Sequence, residues 1–167
     1  MLCEQKEKEK NVFVLPLSIS VNCFILGKTE EALSWIRIIL NDDRNAIRND
    51  IYNFAAVFHL MIHYELGNSG ILEYQALSLQ RYLAEQGKKS DFEALIPDLL
   101  KKMSECPPGK KELSKILDKG LKKLRDIVSQ PGFESNFIKQ YYIMEWLESK
   151  KAEMRLPEYL QDFTTDI

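Results

Sequence analysis

Apolar residues recur at helical spacing along most of the chain. Ala32, Leu33, Ile36 and Ile39 lie at intervals of one, three and four residues, which places them on one face of a helix. Residues 46–66 are apolar on most of the helix circumference, which predicts a helix packed on several sides. The pattern predicts seven helices, over about residues 12–26, 29–40, 46–66, 69–85, 91–105, 110–129 and 134–154.

Glycine, proline and short polar runs separate these helices. Gly27 and Gly67 stand 40 residues apart at comparable turns, a spacing typical of two-helix repeats. Asp91 has the chemistry of an N-cap for the fifth helix. Because the turns are short, neighbouring helices are expected to be antiparallel. The predicted fold is therefore all-α, with about seven antiparallel helices stacked as helix-turn-helix pairs in an α-solenoid or a compact α-α array.

The length of the chain, 167 residues, predicts one domain with a single core. We assign residues 1–11 to a charged N-terminal extension, residues 12–156 to a single helical-repeat domain and residues 157–167 to a C-terminal tail. Hydrophobic residues make up 45% and charged residues 29% of the sequence, which are ordinary values for a globular protein and exclude wholesale disorder.

The apolar run at residues 12–26 is the one segment that resembles a targeting signal. The charged residues before it are balanced in sign, whereas a signal peptide begins with net positive charge. Polar residues interrupt the run, and it is shorter than the ~20 apolar residues that span a bilayer. The cysteines, Cys3, Cys23 and Cys106, form no CxxC motif, which predicts reduced thiols. We therefore expect a cytoplasmic protein without a membrane span.

A repeat-like pattern occupies residues 19–40. The pattern begins with a large apolar residue and a small one, Ile19 and Ser20, and continues with the turn glycine Gly27. The second helix then starts with Glu30, Glu31 and Ala32, and its later packing positions are Ile36 and Ile39. These residues resemble the tetratricopeptide repeat, a helix-turn-helix unit that stacks into a superhelix. A second, more divergent copy surrounds Gly67. The string from Tyr64 to Asn68 is also similar to uncharacterised helical proteins of Bacteroidetes, which would make this protein bacterial.

The tetratricopeptide resemblance implies a function, because such repeats usually bind peptides or other proteins. It implies a non-enzymatic protein-protein interaction scaffold without a cofactor. Pairs of a basic and an aromatic residue, Arg37 near Trp35 and Arg81 beside Tyr82, would suit an acidic peptide or a chain terminus. Solenoid ends need polar caps, so the protein is also expected to form a homo-oligomer or to be part of a longer chain.

The two histidines, His59 and His63, define an alternative function. They are four residues apart and share a helix face, a spacing at which two imidazoles can chelate zinc or nickel. A metal site needs a third ligand, which the sequence does not supply. Leu60 follows His59, so the HExxH motif of zinc hydrolases is absent. No catalytic residues are predicted.

Basic residues concentrate around the sixth helix, residues 110–129. Residues 101–125 contain nine basic and three acidic side chains, although the whole chain has a net charge of -2. The lysines Lys111, Lys115, Lys119 and Lys122 lie opposite the leucine stripe of this helix. They predict either an ordinary solvated face or a docking stripe for an acidic protein or a nucleic acid. The missing interleaved aromatics favour the solvated face.

Overall fold

The computed structural model describes residues 13–41, 49–87, 90–107, 109 and 111–165, and these residues form α-helices and no strand. The nine helices of this part of the chain are α1 (Val14–Ile25), α2 (Thr29–Leu40), α3 (Asn49–Glu65), α4 (Ser69–Glu85), α5 (Asp91–Ser104), α6 (Lys111–Ser129), α7 (Phe133–Gln140), α8 (Ile143–Lys151) and α9 (Leu156–Thr165). The predicted all-α class is confirmed. The charged extension at residues 1–11 lies outside the described residues.

The turns at Gly27 and Gly67 have the same geometry. The two glycines have φ of +75° and +70°, a left-handed conformation that glycine adopts without cost. In each turn the glycine N–H donates to the carbonyl three residues earlier, at 2.9 and 3.1 Å. The next N–H donates to the carbonyl five residues earlier, at 2.8 and 3.0 Å. Both turns are Schellman motifs, so the 40-residue spacing reflects a repeated local structure.

Helix α3 lies at the centre of the first half of the molecule and contacts α1, α2, α4 and α5. Its apolar side chains are buried around most of its circumference, as the sequence pattern predicts. Phe58, which is fully buried, contacts Phe24 edge-on at 5.1 Å between ring centroids and stacks on Phe54 at 5.9 Å. Aromatic contacts of this kind join helices from both halves of the core.

Helix α5 begins at a different capping residue from the one predicted. Ser90 accepts a hydrogen bond from the Glu93 N–H at 3.1 Å, and the Glu93 carboxylate accepts one from the Ser90 N–H at 3.3 Å. This reciprocal pair is a capping box, so the assignment of Asp91 as N-cap is wrong. Further along, a Cβ at Gly120 would lie 2.7 Å from a Leu99 methyl carbon. The missing side chain at Gly120 therefore lets α6 approach α5 closely.

The C-terminal region contains more helices than the sequence pattern predicts. The expected helix at residues 134–154 is interrupted at Tyr142, whose φ of 55° is left-handed, and consists of α7 and α8. Most of the residues assigned to the C-terminal tail belong to α9, which contacts α8. The Tyr159 hydroxyl donates to the Glu148 carboxylate of α8 at 3.0 Å. The described residues contain nine helices where about seven were predicted, because no glycine marks the break at Tyr142 and because the residues from Pro157 onward were assigned to a tail.

Candidate functional site

A cleft of about 770 Å³ lies over helix α3, with α2 and α4 as its walls. The floor consists of Tyr52, Ala56, His59, Leu60 and His63. These positions follow a spacing of three and four residues, so they share one face of α3. The volume lies within the range of ligand-binding pockets, and the cleft is also open to solvent along the helices.

The walls of the cleft are mainly apolar, aromatic and uncharged polar. Helix α4 contributes Ile71 and Tyr74, which are 47% and 72% exposed. Tyr82 packs edge-on against Tyr52 of the floor, with ring centroids 5.8 Å apart. Large exposed apolar and aromatic groups that line a concavity are typical of binding surfaces.

Among the described residues that line the cleft, the one charged side chain is Arg37, on α2. It is exposed, and it forms no ion pair with any residue that the structure describes. Of the four residues predicted to bind a partner in this region, the structure brings Arg37 and Tyr82 to the cleft. Trp35 is half-buried and Arg81 is exposed, and neither lines it. Because Trp35 and Arg37 are two residues apart, they point to different sides of α2.

The two histidines of the floor are hydrogen-bonded to each other. Their Nε2 atoms are 3.0 Å apart, and the Asn68 side-chain amide lies 3.2 Å from His63 Nδ1. Both rings are buried. With the Asn68 amide donating to His63 Nδ1, the His63 proton lies on Nε2 and donates to His59 Nε2. His59 then carries its proton on Nδ1. This chain of donors and acceptors fixes the tautomer of both rings.

Both histidines are neutral near pH 7. Burial lowers the pKa of His59 to about 4, and the neighbouring His63 and Arg37 contribute to the same shift. Burial and the Arg37 charge lower the pKa of His63, while Glu30 acts in the opposite direction. Burial raises the pKa of the Tyr82 hydroxyl, so the tyrosine is also neutral. Arg37 therefore supplies the formal charge of the cleft at neutral pH.

The histidine pair provides two nitrogen atoms at a chelating distance, but the described residues contain no group of three or more His, Cys, Asp or Glu side chains that could hold a metal ion. The nearby Arg37 charge also opposes a cation. The metal alternative therefore remains a prediction from sequence. Metal analysis of protein purified without a histidine tag tests it.

Several groups of the cleft carry no sequence signal of their own. Tyr52 and Tyr82 are 30 residues apart and meet only because α3 and α4 are antiparallel. The sequence places Asn68 in a turn, and the Schellman motif of that turn positions its side chain next to His63 in the last turn of α3. The 40-residue spacing of Gly27 and Gly67 predicts the position of the turn, but it does not predict the contact between Asn68 and His63.

The four lysines of the basic stripe, Lys111, Lys115, Lys119 and Lys122, are exposed on α6. Lys111 also lines a second cleft of about 680 Å³ between α6, α8 and α9, which three further cations line. These three cations are paired: Lys150 with Glu65 at 2.5 Å, Lys151 with Asp118 at 2.5 Å and Arg155 with Glu158 at 3.9 Å. The second cleft is therefore largely neutralised by its own carboxylates.

Comparison of the chain with protein-family models, with curated proteins and with solved structures gives no match. Within the described part of the chain, the helices are too short or too polar to cross a lipid bilayer.

Proposed function

We propose that the protein is a non-enzymatic interaction scaffold whose cleft over α3 binds a peptide segment of a partner protein, with one carboxylate of that segment on Arg37. The observation that carries this proposal is the charge of the cleft. Arg37 is the one charged residue of its lining that the structure describes, and no described carboxylate neutralises it. A ligand with a single negative charge would complement this site.

The side chains around Arg37 support a peptide as the ligand. A guanidinium binds a carboxylate through two parallel hydrogen bonds, which gives both affinity and orientation. The exposed Ile71 and Tyr74 offer apolar contact to the residues on either side of the acid. Interfaces gain most of their free energy from aromatic and arginine residues of this kind.

A nucleic acid fits this cleft less well than a peptide. Binding to a phosphate backbone depends on neutralising many phosphates at once, and the described lining of the cleft has one cation. The repeated helix pair supports a scaffold, because stacked helix pairs present extended concave surfaces to other proteins. The resemblance of residues 19–40 to a tetratricopeptide repeat points to the same role.

The proposal can be tested with a library of acetylated and amidated octapeptides, each made once with a central Glu and once with Gln. Fluorescence anisotropy of labelled peptides is measured against the natural protein. We expect Glu peptides to bind at least about tenfold more tightly than their Gln partners, since a buried or oriented charge pair contributes more than about 1.4 kcal/mol.

Two arginine variants provide the matched comparison. Arg37→Gln is expected to abolish the preference for Glu, whereas Arg81→Gln, on the exposed side of α4 and outside the cleft, is expected to retain it. Equal loss in the two variants, or a library without Glu preference, would contradict the proposal.

A further inference from the structure

We infer that a carboxylate bound on Arg37 binds together with one proton, which the His59–His63 pair takes up and the Asn68 side chain accommodates. This inference rests on the proposed function. The carboxylate belongs to the partner peptide. The three hydrogen-bonded side chains of His59, His63 and Asn68 then belong to the ligand site as well as to the core.

The geometry of the chain allows one added proton to be accommodated without losing a hydrogen bond. In the free protein, Asn68 donates to His63 Nδ1, and His63 Nε2 donates to His59 Nε2 across 3.0 Å. After uptake, His63 is an imidazolium that still donates from Nε2 to His59 Nε2. The added proton lies on His63 Nδ1 and donates to Asn68 Oδ1, which requires the amide to rotate by half a turn. The added proton comes from solvent, and no bond between heavy atoms changes.

A second proton cannot be accommodated in the same way. With both rings charged, an N–H on each Nε2 would point at the other across 3.0 Å. Like charges at this distance strongly oppose a second ionisation. The histidine pair therefore behaves as a single site that holds either no added proton or one.

The charges that face His59 explain why a ligand would control this proton. Arg37, from α2, is the cation that opposes protonation of both rings, and Glu30 of the same helix acts on His63 in the opposite sense. The α4 wall contributes the tyrosines Tyr74 and Tyr82, and burial raises the pKa of the Tyr82 hydroxyl, so that it is neutral near pH 7. A carboxylate on Arg37 cancels the opposing charge, and it also adds an attractive one beside the cleft floor. Binding of the anion and of the proton therefore support each other, and by linkage the coupling is reciprocal.

The first measurement is the affinity of one Glu octapeptide at pH 7 and at pH 5. If the bound carboxylate raises the pKa of the histidine pair by one pH unit, the peptide gains up to about tenfold in affinity once the pair is protonated, so its affinity should rise several-fold from pH 7 to pH 5. The Gln partner of the same peptide, which brings no charge, is the control and should show no such increase. Equal affinity of the Glu peptide at both pH values would overturn the inference.

Variants and a direct measurement separate proton uptake from general acid effects. In the double variant His59→Gln/His63→Gln, the ratio of affinities at the two pH values should fall to about one, whereas Arg81→Gln should retain the ratio of the natural protein. ¹⁵N NMR of histidine-labelled protein follows the titration of the pair, the two histidines of the sequence, with and without saturating peptide. A titration of the pair that the peptide does not change would contradict the inference even if the variants failed to fold.

The outcomes distinguish this inference from the proposed function. Binding that depends on Arg37 but not on pH would overturn proton uptake alone and leave the peptide-binding proposal in place. Failure of every Glu peptide to bind would overturn both. Sodium propionate, added at millimolar concentration, provides the arm for a free small carboxylate. If propionate shifts the titration of the histidine pair and none of the peptides does so, the partner peptide is not the source of the anion. That result would overturn the inference as stated.

Discussion

The cleft over α3 and the cleft between α6, α8 and α9 differ in how their charges are balanced. Among the described residues that line the cleft over α3, the one charged side chain is Arg37, and no described partner neutralises it. The cleft between α6, α8 and α9 has four cations, and carboxylates already pair with three of them. The two cavities are similar in size, at about 770 and 680 Å³.

This difference shows that the density of basic residues is a poor guide to an anion site. An anion that entered the second cleft would have to compete with Glu65, Asp118 and Glu158 for three of its four cations, while Lys111 has no described partner. Arg37 has no such competitor among the described residues. The sequence concentrates its basic residues around α6, where the solvated face remains a prediction, whereas the proposed anion site lies in the nearly neutral α2–α4 region.

The largest expected effect concerns the cleft over α3 and its response to acid. The pKa of His59 is lowered to about 4, so as the pH falls below 6.5 the unfolded chain binds a proton that the folded protein does not. The free energy of unfolding therefore falls between pH 6.5 and 4, by about 3 kcal/mol from this group. Urea unfolding at pH 7 and pH 4 measures it.

The control for this effect is His59→Gln, which does not titrate and can still accept a hydrogen bond from His63. The variant shares every carboxylate with the natural protein, so the difference between the two pH dependences isolates the histidine. A variant that loses as much stability in acid as the natural protein would show that His59 is not buried in its neutral form.

The second prediction concerns the removal of a carboxylate that neutralises the cleft between α6, α8 and α9. Glu65 accepts hydrogen bonds from the buried Trp146 indole at 2.6 Å and from Lys150 at 2.5 Å. Glu65→Ala leaves both donors without this acceptor, and we expect a loss of about 2 kcal/mol in the free energy of unfolding.

Glu158→Ala is the matched control, because it removes a long and exposed pair with Arg155 and should cost less than about 0.5 kcal/mol. Thermal unfolding of both variants measures the difference. If ion pairs with carboxylates are what distinguishes the two clefts, Glu65→Ala frees Lys150 from its partner. The variant should then bind Glu peptides more tightly than the natural protein does, which fluorescence anisotropy detects. Similar losses in the two variants would contradict the importance of the buried pair.

A smaller effect is expected at two residues with left-handed backbone, Glu153 and Gly67. Glu153, which lines the second cleft, has a φ of 56°, a conformation that costs a residue with a Cβ roughly 1 kcal/mol. Glu153→Gly should therefore stabilise the protein by about that amount, as measured by its denaturation midpoint. Gly67→Ala is the converse experiment: a Cβ there meets no atom within 4 Å, so backbone strain alone should destabilise the variant by a similar amount.

The smallest effect is expected on the basic stripe. Lys115 and Lys119 are exposed on α6, and their joint replacement by Ala should change the free energy of unfolding by less than about 0.5 kcal/mol. Binding of Glu peptides to the cleft over α3 should be unchanged. A marked loss of peptide affinity in this variant would mean that the stripe, and not Arg37, attracts the acidic ligand.

Helix positions could be predicted from the sequence wherever a glycine, a proline or a polar run ends the apolar pattern. The α1–α2 and α3–α4 turns are of this kind. The break at Tyr142 could not be predicted, because a tyrosine in left-handed conformation depends on tertiary packing that no local pattern encodes. Ser90 could have been identified as the N-cap, since a serine three residues before Glu93 is the pattern of a capping box.

The candidate site could be predicted only in part. Arg37 and Tyr82 were identified as chemically suitable residues, and His59 and His63 as a pair on one helix face. Their assembly into one cleft depends on α2 and α4 lying on the same side of α3, which spacing alone does not specify. The ion pairs that neutralise the second cleft are also tertiary, since Glu65 and Lys150 are 85 residues apart in sequence.

The hydrogen bond between Trp146 and Glu65 has a consequence for spectroscopy and cooperativity. It joins α8 to the last turn of α3 across 81 residues of chain, so an indole of the C-terminal region reports on the N-terminal region. Trp146 is 1% exposed and its fluorescence should be blue-shifted, whereas the half-buried Trp35 emits closer to the wavelength of tryptophan in water. Separate unfolding curves from two single-tryptophan variants would then show whether the two halves of the molecule unfold in one step.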